Sequence, residues 1–338
     1  MDVTTVADDE VVLHDGARAL LYEGLAPGTE HHLDGVAART LDRPPGERLA
    51  TVCTVNDVHF GEEFCGVIDG AESGPVYSSP PGAEPYPTMM NRCAVADMVA
   101  AQPDAVVVKG DLTAGGTKAE YRAFLDMYEP AFDDRLMHVR GNHDADHGED
   151  FASDAPIARH LPGVTLAMLD TSIPGKASGQ VTASTLDWLD TLAAEADRPV
   201  LVFGHHHPWA PGAAERPDDY FGIHPDDSER LVELVARRRR IVGYFAGHTH
   251  RNRVRRFAAT GAFPWVEVAC VKDFPGAWAE YRVFEGGILQ VVRRISAPEA
   301  LAWSERTRDM FAGLYGDYAL GTLADRCFSI PRRDPADG

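Results

Sequence analysis

The sequence predicts an α/β fold in which sheets and helices pack in layers. From about residue 50 to residue 295, short β-branched strand candidates alternate with amphipathic helix candidates. Polar residues of the kind that bind metals follow five of the strands. Alternation of strands and helices is typical of layered α/β proteins.

Six strand candidates alternate with four helix candidates in the main region. The strands are Ala50–Val55, Ala105–Val108, Leu136–Arg140, Val164–Leu169, Val200–Phe203 and Ile241–Ala246. The helices are Thr88–Gln102, Thr117–Tyr128, Thr182–Ala193 and Pro225–Arg237. Thr117 followed by Glu120 is a capping-box pattern, which indicates a helix start. Three further strand candidates without helices between them, Trp265–Cys270, Glu280–Phe284 and Ile288–Arg293, predict a meander on a second sheet.

The two ends of the chain differ from this region. Residues 1–49 predict a small β appendage, because Asp15-Gly16 and Asp34-Gly35 are hairpin-turn dipeptides. Residues 296–338 predict a helical tail, with one helix near Pro298–Leu314 and an irregular end. The expected division is therefore 1–49, 50–295 and 296–338.

Composition bounds the class of protein and its partners. The chain has 338 residues, of which 44% are apolar and 25% charged, as in an ordinary globular protein. Its net charge of −20 argues against nucleic acid and anionic membrane surfaces as partners. No apolar run approaches the roughly 18 residues of a membrane span. The first residues lack the features of a signal peptide, and the five cysteines form no Cys-x-x-Cys pair. The cytoplasm is therefore the expected compartment, and secretion without a leader remains an alternative.

Five clusters of polar residues carry the chemistry. They are Asp57-Val58-His59, Gly110-Asp111, Gly141-Asn142-His143-Asp144, Gly204-His205-His206-His207-Pro208 and Gly247-His248-Thr249-His250. Each alone is weak, since Gly-Asp is a common turn and a histidine run is often a surface tract. Each, however, follows a strand candidate, and open α/β sheets bind ligands beyond the carboxyl ends of their strands. We therefore expect all five clusters at one edge.

Such a set of side chains predicts a two-metal centre. One ion would be held by Asp57, His59 and His250, and the other by Asn142, His206 and His248. Asp111 would bridge them, because a carboxylate can hold two cations about 3.5–4 Å apart. Imidazole and oxygen ligands without thiolate suit manganese, iron, zinc or cobalt, as two divalent or mixed-valence ions. Such a centre attracts phosphate to an acidic protein and would make hydroxide from bound water for in-line attack on phosphorus.

In type and spacing, the five clusters across roughly residues 50–252 resemble those of the calcineurin-like metallophosphoesterase superfamily. The resemblance implies a four-layer β-sandwich flanked by helices, with residues 50–295 as the catalytic domain. It implies that Asp57, His59, Asp111, Asn142, His206, His248 and His250 are the metal ligands. His206 is chosen within the histidine run because the family ligand stands two residues before the proline. His143 would protonate the leaving oxygen or steady the transition state, and Asp144 would orient its ring.

Departures from the family pattern narrow the resemblance. Ala114 stands where purple acid phosphatases have a tyrosine, and the Asp-Arg-Gly of protein phosphatases is absent after Asp111. The chain is most similar to class III cyclic nucleotide phosphodiesterases and glycerophosphodiesterases. His205 and His207 are flanking residues in this interpretation. Asn142, His143 and His207 are the candidate substrate contacts.

The expected function is hydrolysis of small phosphodiesters of the cyclic nucleotide or glycerophosphodiester type. Three alternatives remain: a phosphomonoesterase, a nuclease of the same superfamily, and a non-catalytic metal-binding scaffold. A scaffold would be expected to lose His143 or several ligands, whereas every expected position is filled here. The expected partner is a small phosphoester, with further copies of the chain as an open alternative.

Overall fold

The computed structural model describes residues 1–68, 71–217 and 220–332. The chain begins with β1 (Asp2–Val6), β2 (Glu10–Asp15), β3 (Arg18–Glu23), β4 (Glu30–Leu33) and β5 (Val36–Arg39). The next elements are β6 (Arg48–Val55), β7 (Cys65–Ile68), β8 (Ala71–Tyr77), α1 (Tyr86–Ala100), β9 (Ala105–Lys109), α2 (Lys118–Phe132), β10 (Leu136–Val139), α3 (Asn142–Ala145), β11 (Ile157–Leu161), β12 (Val164–Met168), β13 (Ser172–Ile173), β14 (Lys176–Gly179), α4 (Ala183–Glu195), β15 (Val200–Phe203), α5 (Pro225–Arg237) and β16 (Ile241–Ala246). The last are β17 (Arg253–Arg255), β18 (Trp265–Glu267), β19 (Ala277–Phe284), β20 (Gly287–Arg294), α6 (Pro298–Thr307), α7 (Tyr315–Leu320), α8 (Leu323–Arg326) and β21 (Cys327–Pro331).

Two six-stranded mixed sheets form the centre of the molecule. The first has the order β10-β9-β6-β19-β20-β21, and the second has the order β11-β12-β15-β16-β18-β17. In the first sheet β10, β9 and β6 are parallel, whereas β19, β20 and β21 are antiparallel. In the second sheet β12, β15, β16 and β18 are parallel, and β11 and β17 are antiparallel edges. Each sheet thus has parallel strands whose carboxyl ends can build a site.

The two sheets pack face to face, and helices cover both outer faces. Val52 and Val107 point inward, where they join Phe203 in the core between the sheets. Their neighbours Cys53 and Val106 point outward and pack under α1, α2 and α6. On the far side, α4 and α5 cover the second sheet. Because these strands are covered on both faces, their sequences are continuous apolar runs. The predicted four-layer α/β arrangement is confirmed.

The predicted strands after residue 260 do not form one meander. β18 pairs in parallel with β16 in the second sheet, whereas β19 pairs with β6 in the first. The segment 268–276 crosses from one sheet to the other. The prediction was wrong here because a strand's apolar pattern does not reveal the sheet that it joins.

The predicted β appendage is present and packs on the first sheet. β1, β2 and β3 form an antiparallel sheet, and Val11 and Leu13 share a buried apolar cluster with Leu289 and Val291 of β20. The two-residue turn between β4 and β5 has positive φ at Asp34 (46°) and Gly35 (83°), as the sequence predicted for this dipeptide.

The tail has three short helices in place of the single long helix that was expected. The first tail helix ends at Thr307, and backbone turns with positive φ at Phe311, Ala312 and Gly313 follow it. The end that was predicted to be irregular includes β21, which pairs with β20. Buried contacts cross both expected boundaries. The division of the chain at residues 49 and 295 stays a prediction.

All five cysteines are buried and free. Within the described part of the chain, no helix combines the length and apolar character needed to span a bilayer.

Candidate metal centre

The five predicted clusters meet at one edge of the sandwich. Asp57, Asp111 and Asn142 follow β6, β9 and β10, and the histidines of the last two clusters follow β15 and β16. Nε2 of His250 lies 3.4 Å from Oδ1 of Asp57, and Nε2 of His59 lies 3.5 Å from Oδ2 of Asp111. Residues that are far apart in the sequence therefore share one site, as the element order predicted.

The backbone at this edge is held in an uncommon conformation. Asp57, His59, Asp111, His248 and His250 all have positive φ, between 47° and 68°. Non-glycine residues adopt this region rarely, and such residues cluster at functional sites. The loops also approach closely: a Cβ on Gly141 would lie 2.2 Å from Oδ1 of Asp111. Gly141 is therefore required where Asn142 and Asp111 come together.

The first group of candidate ligands is Asp57, His59 and His250, whose ligand atoms lie within 4.8 Å of one another. Asp57 is fully buried and accepts hydrogen bonds from the backbone N–H of His248, at 3.1 Å, and from the side chain of Asn56. Burial alone would raise the pKa of Asp57, but the neighbouring His250 keeps it below its usual value. The carboxylate is thus ionised, as a metal ligand must be.

The second group is His206 and His248, together with His205. Nδ1 of His206 lies 2.8 Å from Oγ1 of Thr171, which leaves Nε2 for another partner. Burial lowers the pKa of both His206 and His248 well below the usual value, so both rings are neutral. Neutral imidazole with a free nitrogen is the form that binds metals.

The side chains present fit divalent cations. Among the described residues, Nε2 of His59, His206 and His248 is buried and has no hydrogen-bond partner. Unpaired buried nitrogens are costly unless something coordinates them. The surrounding donors are imidazole nitrogen, carboxylate oxygen and amide oxygen, which suit first-row divalent ions. The site therefore has the composition of a metal centre.

Asp111 lies between the two groups. It belongs to a cluster with Asp57 and His205 and to another with His59 and His143. Its Oδ1 also accepts the backbone N–H of His143 at 3.1 Å. Although burial opposes ionisation, the adjacent His205 and His143 hold the pKa of Asp111 well below its usual value.

His205 is one of the site residues that the sequence did not predict. Treated there as a flanking residue, it is fully buried, with Nδ1 2.8 Å from the carbonyl oxygen of Lys109. Its Nε2 lies 3.1 Å from Oδ1 of Asn142 and 3.2 Å from Oδ2 of Asp111. The only sequence signal was its place next to His206 in the cluster.

His143 lies at the site, but Asp144 does not orient its ring. Nδ1 of His143 pairs with the carbonyl oxygen of Ala114 at 2.9 Å. The Asp144 carboxylate instead accepts the backbone N–H groups of Leu112, Thr113 and Gly141 at 2.7–3.0 Å. The expected contact between Asp144 and the His143 ring is not made, because backbone N–H groups of the loops after β9 and β10 engage the Asp144 carboxylate. Asp144 joins these two loops.

Two further side chains border the site. His207 is buried, and burial lowers its pKa to about 4. Phe221, 53% exposed, stacks on the His248 ring with centroids 3.9 Å apart and planes inclined by 28°. Phe221 was not predicted, because an isolated aromatic residue in a loop carries no motif.

These residues bring candidate metal ligands together at one edge of a layered sandwich, and comparison with known proteins shows the family. The calcineurin-like phosphoesterase family profile matches residues 50–252, more than half of the chain. The chain belongs to this family.

Curated relatives include phosphodiesterases. A glycerophosphodiester phosphodiesterase, GpdQ, of Enterobacter lignolyticus is 32% identical over 44% of this chain and 56% of its own length. A cAMP/cGMP dual specificity phosphodiesterase of Mycobacterium tuberculosis is 37% identical over 32% of this chain and 37% of its own. A probable cyclic nucleotide phosphodiesterase of Rhodococcus erythropolis is 31% identical over 47% and 55%. The chain thus spans about half the length of these relatives, or less.

A solved structure shares the fold. A dimetal phosphatase from Danio rerio superposes with a TM-score of 0.56 at 14% identity, covering 85% of this chain and 100% of that one. At that identity the likeness shows the fold alone.

Proposed function

We propose that the chain is a dinuclear-metal-dependent phosphodiesterase that hydrolyses small phosphodiesters. The observation that carries the proposal is the set of buried, unpartnered Nε2 atoms of His59, His206 and His248 around Asp57 and Asp111. The names of the curated relatives support a diester substrate of the cyclic nucleotide or glycerophosphodiester type.

Each residue has a part in this proposal. Asp57, His59 and His250 would hold one ion, Asn142, His206 and His248 the other, and Asp111 both. Two cations held there would polarise the phosphoryl oxygens and supply an activated water. The ion identities fall among manganese, iron, zinc and cobalt.

His143 is proposed to act on the leaving group. Its Nδ1 is engaged by the carbonyl oxygen of Ala114, so Nδ1 donates its hydrogen there when the ring is neutral. Nε2 then remains to face a substrate oxygen. Burial would lower the pKa of His143, but Asp111, the carbonyl oxygen of Ala114 and the nearby Asp146 and Glu62 together raise that pKa. A histidine whose pKa is raised holds its proton more readily and is suited to give it to a departing alkoxide.

The charge of the chain favours small substrates. A protein with a net charge of −20 repels the polyanionic backbone of nucleic acid. Binding of that backbone needs clustered Lys and Arg residues. The nuclease alternative is therefore weaker. The substrate test described next separates the proposed phosphodiesterase from a phosphomonoesterase and from a non-catalytic scaffold.

The test is turnover of bis(p-nitrophenyl) phosphate, p-nitrophenyl phosphate, cyclic nucleotides and glycerophosphodiesters by the manganese-loaded protein. We expect hydrolysis of the diesters in preference to the monoester. Asp111→Asn should lose at least about a hundredfold in rate, because an amide bridges two cations poorly. Preference for the monoester would favour the phosphomonoesterase, and no turnover by a metal-loaded protein would favour the scaffold.

A further inference from the structure

The rings of His59 and His250 each lie between two carboxylates. The inner carboxylates, on the side of the proposed metal ligands, are Asp111 and Asp57, and the outer carboxylates, behind the rings, are Glu62 and Asp273. Nε2 of His59 faces Asp111, and its Nδ1 lies 3.5 Å from Oε2 of Glu62. Nε2 of His250 faces Asp57, and its Nδ1 lies 4.0 Å from Oδ2 of Asp273. Each ring thus presents Nε2 to the proposed metal ligands and Nδ1 to a carboxylate behind it.

A buried lysine joins the two outer carboxylates. Nζ of Lys272 lies 2.7 Å from Oε1 and 2.6 Å from Oε2 of Glu62, and 3.5 Å from Oδ2 of Asp273. Only 4% of Lys272 is exposed. A buried ammonium is costly unless carboxylates pair with it. Burial opposes the charge, but Glu62 and Asp273 raise the pKa of Lys272, so it stays protonated.

The C-terminal tail holds this lysine and Asp273 in place. Tyr315 of α7 donates its hydroxyl hydrogen to Oδ1 of Asp273 at 2.6 Å. Trp303 of α6 donates its indole N–H to the backbone carbonyl of Lys272 at 2.9 Å. The segment that crosses between the two sheets is therefore anchored from outside by tail residues.

We propose that Glu62, Lys272 and Asp273 form an outer charged layer that positions His59 and His250 as metal ligands. With a cation at Nε2, each ring would carry its hydrogen on Nδ1, the nitrogen that faces Glu62 in His59 and Asp273 in His250. Carboxylates behind coordinating histidines orient the rings in this way and commonly change metal affinity. Lys272 reduces repulsion between this layer and the Asp57 and Asp111 carboxylates.

The three residues are positioning residues for one of the two ions. They act on His59 and His250 of the first ligand group, whereas Thr171 contacts His206 of the second group. The proposal rests on the dinuclear centre proposed above. It gives the tail a role, since Tyr315 acts on His250 through Asp273.

The experiment is a Mn²⁺ titration of chelator-treated protein by calorimetry, for the wild type, Glu62→Gln, Asp273→Asn and Lys272→Met. We expect the wild type to bind two equivalents. In the variants one equivalent should bind about 10–100-fold more weakly, with the other unchanged. The weakened equivalent should be the one that His250→Ala loses. Tyr315→Phe, which keeps every charge, should weaken the same equivalent less, and it carries the test if the charge variants do not fold.

Glu280→Gln is the matched control. Glu280 is also a buried carboxylate paired with basic side chains, but it lies in the network of Arg282 and Arg293 on β19 and β20. It should lower thermal stability and leave both Mn²⁺ affinities unchanged. The proposal is overturned if the folded outer-layer variants bind Mn²⁺ like the wild type, or if Glu280→Gln shows the same selective loss. Fewer than two equivalents in the wild type would overturn the dinuclear centre and this layer together.

Discussion

Nε2 of His205 lies 3.2 Å from Oδ2 of Asp111, the residue that joins the two halves of the site. The other ring nitrogen of His205 is engaged by the carbonyl oxygen of Lys109 at 2.8 Å. Both nitrogens of His205 thus have protein partners, whereas Nε2 of His206 has none among the described residues. This difference separates the two adjacent histidines into a positioning residue and a ligand.

Removing each histidine should therefore have a different effect on metal binding. His206→Ala should lose one of two Mn²⁺ equivalents and with it the activity. His205→Ala should retain both equivalents with affinity lowered about 10–100-fold, because only the support of Asp111 and Asn142 is lost. Metal analysis at saturating and limiting Mn²⁺ measures both, with His207→Ala as the control. A reversed ranking would shift the ligand to His205.

His143→Ala separates chemistry from metal binding. His143 lies outside the proposed ligand set, so the variant should keep both metals. General acid help is worth about 10²–10⁴-fold when the leaving alkoxide is basic. The variant should lose far more activity on an alkyl phosphodiester than on a p-nitrophenyl diester, whose leaving group needs no proton. Equal losses on both substrates with metals intact would reject the proton-donor role.

Phe221→Ala tests which diesters the site prefers. The exposed ring stacks on His248 and leaves a free apolar face beside the proposed centre. Stacking of a base on an aromatic ring is worth about 1–3 kcal/mol, so KM for cyclic nucleotides should rise roughly 5–150-fold. KM for glycerophosphodiesters should stay unchanged, because they have no flat ring. Leu21→Ala, an exposed apolar change on β3, is the control; equal effects on both substrate types would reject base stacking.

Glu280 should make stability depend on pH in the acid range. Burial alone would raise its pKa, but Arg293 and Arg282 hold it at about 2, below the ordinary 4.5. A carboxyl with a depressed pKa stabilises the folded state fully above its unfolded pKa and loses this effect as pH falls towards its folded pKa. The contribution, on the order of 3 kcal/mol, should therefore disappear between about pH 4.5 and 2.

Unfolding midpoints of the metal-free protein and of Glu280→Gln between pH 7 and pH 3 measure this dependence. The stability difference between the two proteins should narrow as pH falls below about 4.5. A difference that is constant across this range would contradict the prediction.

The centre of the fold and the first layer of the site follow from local patterns. Asp57, Asp111 and Asn142 stand directly after apolar strands, so the order of elements was enough to bring them together. Glu62, Lys272 and Asp273 are single charged residues that meet only through tertiary packing, and no spacing marks them. β21 is a short segment that forms a strand because it pairs with β20. The periodicity of a sequence does not predict contacts of this kind.

The central claim is that this edge of the sandwich holds two cations joined by Asp111. The most direct measurement is an anomalous difference map from crystals of the manganese-loaded protein. We predict two peaks about 3.5–4 Å apart, one contacting Asp57, His59 and His250, the other Asn142, His206 and His248, and both contacting Asp111. One peak, or two peaks that do not share Asp111, would contradict the account.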